Sequence, residues 1–193
     1  MIDELVRKSR SFRSFDHTRK ISEELLVSYI ETLRFTPSSI NLQALKYCLI
    51  TSKEDTGFVR SQVRFAGLLE NYNGPDEDNS PSAYVVICQD TEIHSSETVF
   101  LRDVGVVAQT FALRAIEDGI GCCMIGSFNK EKVAEYLNLK DSIKPNLILA
   151  LGYPNEKIIL EDAKDSVAYY RDENNIHHVP KRTVKELIIK GER

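Results

Sequence analysis

Apolar and polar positions along the chain alternate with two different periods, and the change of period marks out the elements. Ser22 stands before Glu23 and Glu24, and Leu25, Leu26, Tyr29, Ile30 and Leu33 then recur at three- and four-residue spacing as far as Thr36-Pro37. A capping hydroxyl, acids in the first turn and one apolar stripe predict an amphipathic helix. A strand is expected over residues 46–51 and a helix over about 53–70. Residues 83–88 and 147–151 are apolar without a break and close on polar or Gly-x-Pro punctuation, the pattern of strands covered on both faces at the centre of a sheet. From 99 to 118, Val104, Val106, Val107, Ala108, Phe111, Ala112, Leu113, Ala115 and Ile116 cover nearly the whole circumference of a helix, which predicts burial all round. A subunit interface buries such a helix with less chain than a monomer needs, so a homodimer is compatible with the pattern. Gly119-Ile120-Gly121 ends it, residues 122–125 form a short strand followed by Gly126, and a terminal helix is expected over 183–189. Strands and helices interleave throughout, so the class is α/β or α+β with helices on both faces of the sheet.

Composition places few further limits. The 193 residues carry 25 Lys+Arg against 29 Asp+Glu, with 42% hydrophobic and 28% charged residues. One globular domain over 1–193 is expected, and disorder, collagen and coiled coil are excluded. No stretch approaches the roughly 20 apolar residues that span a bilayer, and acid stands at the N-terminus where a signal peptide has base. The expectation is a cytoplasmic protein without membrane contact. Cysteines stand at 48, 88, 122 and 123 and histidines at 17, 94, 177 and 178, with no zinc-type spacing, so no metal is expected and the thiols read as buried filler. Residues 1–20 hold six bases against three acids, and 171–193 six against four. The acidic surplus therefore lies between the ends, which argues against a nucleic-acid surface and leaves two readings of the basic ends: solvated termini, or an anion site built from both.

Four constellations carry candidate chemistry. Arg10, Ser11, Phe12, Arg13, Ser14 and Phe15 put two guanidiniums beside two hydroxyls, a set able to grip a phosphate while the aromatic rings pin the strand. Pro37, Ser38, Ser39, Asn41 and Gln43 offer uncharged donors and acceptors suited to the edge of a heterocycle, though a capped loop opening a short helix accounts for them equally. Residues 119–128 place glycines around a short strand, where backbone can approach a planar ligand, but lack the strand-first dinucleotide fingerprint. Val179-Pro180-Lys181-Arg182-Thr183 reads as a rigid turn presenting two cations. His177-His178 read as solvent-facing loop, and Tyr169-Tyr170 as a strand pair with one face inward, or else a ring stacked on a ligand.

Together these segments resemble the nitroreductase family of flavin-dependent oxidoreductases. Arg10, Ser11, Arg13 and Phe15 fit its Arg-Arg-Ser-x-Arg-x-Phe opening, with Ser9 where many members have the first arginine. Residues 37–43 match Pro-Ser-Ser-x-Asn-x-Gln at every specified position, with Ala44-Leu45 replacing the usual Pro-Trp. Residues 103–128 resemble the family's interface helix and glycine-bearing strand, and 151–182 its tail; about 53–82 stay unmatched.

The resemblance implies an α+β, three-layer α-β-α sandwich with a central mixed sheet and a long buried interface helix. It implies a homodimer holding two FMN at the subunit interface. Arg10, Ser11 and Arg13 of one subunit would serve the cofactor with Lys181 and Arg182, while Pro37, Ser38, Ser39, Asn41 and Gln43 of the other reach the flavin and Ile125 and Gly126 lie beside the ring. Hydride from NADH or NADPH would pass through FMN to a nitroaromatic, quinone or similar acceptor by a ping-pong mechanism, with no catalytic side chain. The alternative on the same residues is a dimeric flavin-binding protein for storage, sensing or partner contact; flavin cleavage or dehalogenation on the same scaffold is a third reading.

Overall fold

The two unbroken apolar runs pair with each other. In a computed structural model that describes residues 1–67, 69, 72 and 74–190, β2 (Ala83–Asp90) and β4 (Ile143–Gly152) form the centre of a four-stranded sheet, flanked by β1 (Leu45–Ile50) and β3 (Gly121–Ile125) in the order β1-β2-β4-β3. All three pairings are antiparallel, and a parallel bridge from Ser11 to Cys122 on the free edge of β3 makes the sheet mixed. Ala83, Val85, Ile87, Leu149 and Leu151 pack under one face, and Tyr84, Val86, Cys88, Ile148 and Ala150 under the other. Both faces are dry, so the usual apolar–polar alternation of a strand gives way to a continuous apolar run.

Helices α2 (Glu23–Leu33) and α4 (Glu97–Glu117) cover the first face through Leu26, Tyr29, Leu33 and residues from Phe100 to Ala115. On the second lie α3 (Lys53–Gln62) and α5 (Lys130–Tyr136), through Val59 and Val133. Ser22 caps α2 as expected, its Oγ accepting from the Leu25 N–H at 3.3 Å. The result is the expected α+β arrangement in three layers. Among the described residues no helix is long and apolar enough to cross a membrane.

Several expectations are corrected. The helix expected over 53–70 ends at Gln62, because Val63 turns into a bridge with Phe128 and the Arg64 N–H bonds the Ser127 carbonyl at 2.9 Å; residues 68 and 70 lie outside the described residues. Within one chain α4 is not buried all round. Its outer face leaves Leu101 at 47% and Val106 at 39% exposure. A first helix, α1 (Ile2–Lys8), forms where the sequence shows too few apolar positions to define a stripe. The terminal helix is one turn, α6 (Val184–Leu187), held by a capping box between Thr183 and Glu186.

Residues 179–181 are strand, not turn. They belong to β7 (His177–Lys181), which lies between β5 (Ile158–Asp162) and β6 (Tyr170–Arg171) in a second sheet, parallel to β5 and antiparallel to β6. The short β6 pairs only with His177 and His178, so Pro180 stands where one side of the strand has no ladder to interrupt.

The basic opening segment is seated by two glycines. Gly121 and Gly152 face each other across β3 and β4. A Cβ on Gly121 would come within 2.6 Å of the Phe12 ring, and one on Gly152 within 2.7 Å of the Phe15 ring. The bare backbone therefore receives both aromatic rings, which are buried. With the Phe12 N–H on the Cys122 carbonyl (3.2 Å), this sets Ser11 and Phe12 on the free edge of β3, while Phe15 bridges to Pro154 just beyond β4.

The two adjacent histidines are opposite in character, and neither is solvent-facing. His178 is stacked on Tyr170 and lies 3.2 Å from Glu161 and 3.3 Å from Asp172, which raise its pKa. His177 is 1% exposed, and burial together with the Arg13 and Arg171 cations pushes its pKa down to about 4. The His178 contribution is complete below the unfolded value of about 6.5 and is lost as pH rises through the higher folded value. For His177 the unfolded chain takes a proton near pH 6.5 that the folded chain refuses, so stability falls as pH drops from about 6.5 to about 4.

Urea denaturation across pH checks this assignment: His177→Gln flattens the loss between pH 6.5 and 4, whereas His178→Gln abolishes the advantage below pH 6.5. In the same assay Gly152→Ala costs about 1–3 kcal/mol by forcing Phe15 off its seat. Gly57→Ala, on an open face of α3 with no atom within 4 Å of the added carbon, gains about 0.5–1 kcal/mol from helix propensity.

Candidate functional site

With Ser11 and Phe12 on the edge of β3 and β7 in the second sheet, the phase of each segment decides which side chains meet. Ser9, Ser11 and Arg13 turn to one side, and so do His177, Val179 and Lys181 on β7; both rows line one cleft of about 340 Å³. Arg10 joins them. Gln109 and Ala112 of α4 and Cys122 and Met124 of β3 form the floor, and Ile158 and Tyr169 complete the wall. The volume lies in the roughly 300–1,000 Å³ range of small-molecule sites. Among the described residues three cations border it and no carboxylate does.

Arg13 is 8% exposed, yet among the described residues no carboxylate pairs with its guanidinium. Its Nη1 donates to the Ser11 carbonyl at 3.1 Å and to His177 Nε2 at 3.0 Å, and its carbon lies 4.8 Å from the centre of the Tyr169 ring. An arginine only donates, so Nε2 of His177 accepts and the imidazole proton sits on Nδ1. The nearby carboxylate, Glu156, is engaged elsewhere: it accepts the backbone N–H groups of Arg13 and Ser14 and pairs with Arg171 at 3.0 Å. Among the described residues Arg13 Nε and Arg10 Nε are buried without hydrogen-bond partners.

The second constellation is built elsewhere on the chain. Residues 37–43 form a loop with one 3₁₀ turn (Ser39–Asn41) in which Ile40, Asn41 and Gln43 take φ of 44°, 57° and 53°. Left-handed backbone at a β-branched residue is strained and needs outside support. Asp103, buried on α4, supplies it by accepting the Ser39 N–H at 2.9 Å and Oγ–H at 2.8 Å. Gln43 donates through its backbone to Ser38 Oγ (3.2 Å) and through its side chain to Asn41 Oδ1 (3.2 Å). Pro37, Ser38 and Gln43 border a separate hollow with Tyr47 and Asp103. Six residues separate Asp103 from Gln109, about 9 Å along α4, so in one chain this loop does not line the cationic cleft.

Of the sequence candidates, Arg10, Ser11, Arg13 and Lys181 therefore converge. Arg182 is exposed and pairs with Glu186 at 3.7 Å. Ile125 faces the core on the α3–α5 side, while its neighbour Met124 reaches the cleft, and Gly126 stands in open space. Sequence reasoning missed His177, Gln109 and Met124. The signal for His177 was its period-two relation to Val179 and Lys181, visible once the segment is a strand. Cys122 and Cys123 are buried, and burial raises both thiols, Cys123 to about 11, so neither is a reactive thiolate.

The model of the nitroreductase family matches residues 6–153, including the 53–82 stretch that carried no recognised motif and excluding the tail. The chain is similar to a protein of Pseudomonas sp. (strain G-1) named CR(VI) reductase, at 30% identity over 166 residues, 80% of this chain and 67% of the relative. It is also similar to the YdgI protein of Bacillus subtilis (strain 168), described as a candidate NAD(P)H nitroreductase, at 24% identity over 77% of this chain and 86% of that one. In fold it resembles a candidate nitroreductase from Desulfovibrio desulfuricans solved in complex with FMN, with a TM-score of 0.71 at 16% identity over 100% of this chain and 97% of the other. A family match over most of the chain, joined to the three-layer fold, establishes that this chain belongs to the nitroreductase family of oxidoreductases.

Proposed function

We propose that the protein is an FMN-dependent NAD(P)H oxidoreductase acting as a homodimer, with a nitroaromatic, quinone or similar small molecule as electron acceptor. The observation that carries this reading is the cleft bordered by Arg10, Arg13 and Lys181 with no carboxylate among the described residues. A buried guanidinium left without a counter-charge is costly unless a ligand brings one, and the FMN phosphate does. Ser9 and Ser11 hydroxyls complete a phosphate shell, while Ala112, Met124, Ile158, Val179 and Tyr169 offer the apolar and aromatic walls that an isoalloxazine ring requires. The donor set thus fits this cofactor.

When bound, FMN supplies the redox chemistry, taking hydride from NADH or NADPH and giving electrons to the acceptor in alternating turns. The chain's part is binding, orientation and charge. Arg13 would present a fixed cation to the anionic groups of a bound FMN, and Lys181 and Arg10 would help hold its phosphate. The bare outer face of α4 (Leu101, Gly105, Val106) runs directly into Gln109 at the cleft floor. A second copy docked on that face would bring its own 37–43 loop to the cleft, which gives a use to a strained, polar loop standing apart from the cations of its own chain.

Two measurements test this reading. The purified protein is yellow or turns yellow with one FMN per chain, and stopped-flow mixing with NADH or NADPH bleaches the flavin absorbance within seconds. A colourless chain indifferent to added FMN overturns the proposal, and FMN that stays oxidised with both donors reduces it to a flavin-binding protein. Val106→Glu, at an exposed position of the single chain, leaves a folded monomer by sedimentation that retains FMN at least about tenfold more weakly, a loss of about 1.4 kcal/mol.

A further inference from the structure

Arg13 raises a problem of electrostatic design. A buried arginine is normally fixed by a carboxylate, which orients it and cancels its charge at once. Here the supports are a backbone carbonyl at 3.1 Å, an imidazole nitrogen at 3.0 Å and an aromatic face at 4.8 Å, all of them uncharged. Glu156 stands close enough to accept the Arg13 backbone N–H, yet its second oxygen is committed to Arg171. The guanidinium is thus aimed without being neutralised.

We propose that His177 is a positioning residue, a neutral acceptor that fixes the direction of the Arg13 guanidinium so that its full charge is presented to the flavin and its phosphate. This rests on the reading that the cleft holds FMN. The choice of side chain follows from the surroundings. Arg13 and Arg171 both bear on the ring, and Tyr169 lies against it at 5.3 Å, while His178, one residue along the strand, turns to Glu161 and Asp172. A ring at this position takes no proton at neutral pH, so its Nε2 lone pair stays available to Arg13. An aspartate or glutamate would hold Arg13 equally well but would cancel the charge; a lysine or a second arginine would repel it.

A double-mutant cycle read by FMN binding tests the assignment, using quenching of flavin fluorescence on addition of apoprotein. His177→Phe keeps a ring against Tyr169 and removes the acceptor; His177→Gln keeps a neutral acceptor. With Arg13 present, His177→Phe weakens FMN about tenfold, or about 1.4 kcal/mol, and shifts the flavin midpoint potential to more negative values, while His177→Gln stays within about threefold of the parent. In the Arg13→Gln background His177→Phe has no further effect on either quantity, because no cation remains to be aimed. Equal losses from His177→Phe with and without Arg13, or a potential that does not move, overturn the proposal. Should His177→Phe fail to fold, His177→Glu serves in its place: pairing with Arg13 lowers both affinity and potential relative to His177→Gln, and equality with His177→Gln overturns the assignment. If the parent protein itself takes up no FMN, the failure lies with the proposed function and not with His177.

Discussion

The arrangement rests on a close approach of backbone to ring at Gly121 and Gly152. Two strands that present no side chain at facing positions leave a hollow, and Phe12 and Phe15 fill it. Ser11 is thereby bridged to the edge of β3, and with Phe12 turned into the hollow its neighbours Ser9, Arg10, Ser11 and Arg13 face the cleft. The second sheet faces it from above through His177, Val179 and Lys181. Chain segments about 165 residues apart in sequence meet because one is bridged to the edge of β3 at Ser11 and the other is held as strand β7 against neighbours that fix its phase.

Charge is distributed around this frame with a consistent logic. Three carboxylates near the cleft already have partners: Glu156 takes Arg171 and two backbone N–H groups, and Glu161 and Asp172 take His178. The cations facing the cleft are left uncompensated, and Arg13 is supported only by neutral groups. Buried positive charge without counter-charge lowers the stability of the empty chain and raises its affinity for an anion. The left-handed run at Ile40, Asn41 and Gln43 has the same character, strain held in place by the carboxylate of Asp103.

Much of the core was legible in advance. Burial on both faces keeps residues 83–88 of β2 and the second half of β4 apolar, and a helix cap with one apolar stripe is a local signature that tertiary contacts need not alter, so β2, β4 and α2 appear where the pattern puts them. The errors lie where a local pattern is weak or a long-range pairing overrides it. Val63 leaves the helical path because Phe128 offers a strand partner, and Pro180 sits in a strand because its neighbour β6 is too short to need its missing N–H. The circumferential greasiness of α4 was read correctly as apolar, but burial in one chain reaches only the faces turned to the sheet and α2.

By itself the sequence determined the classes of side chain available to an anionic, planar ligand, the spacing that places Arg10, Ser11 and Arg13 on one short segment, and the central elements α2, β2 and β4, since these depend on neighbours within a few residues. It did not determine that Lys181 joins Arg13 while Arg182 turns away, that Met124 and not Ile125 faces the cleft, or that His177 is a buried acceptor while His178 lies between Glu161 and Asp172. Those outcomes depend on the phase of each strand, which is set by partners far away in the chain. A shift of one residue in that phase exchanges every side chain between core and cleft, so only the tertiary structure could decide them.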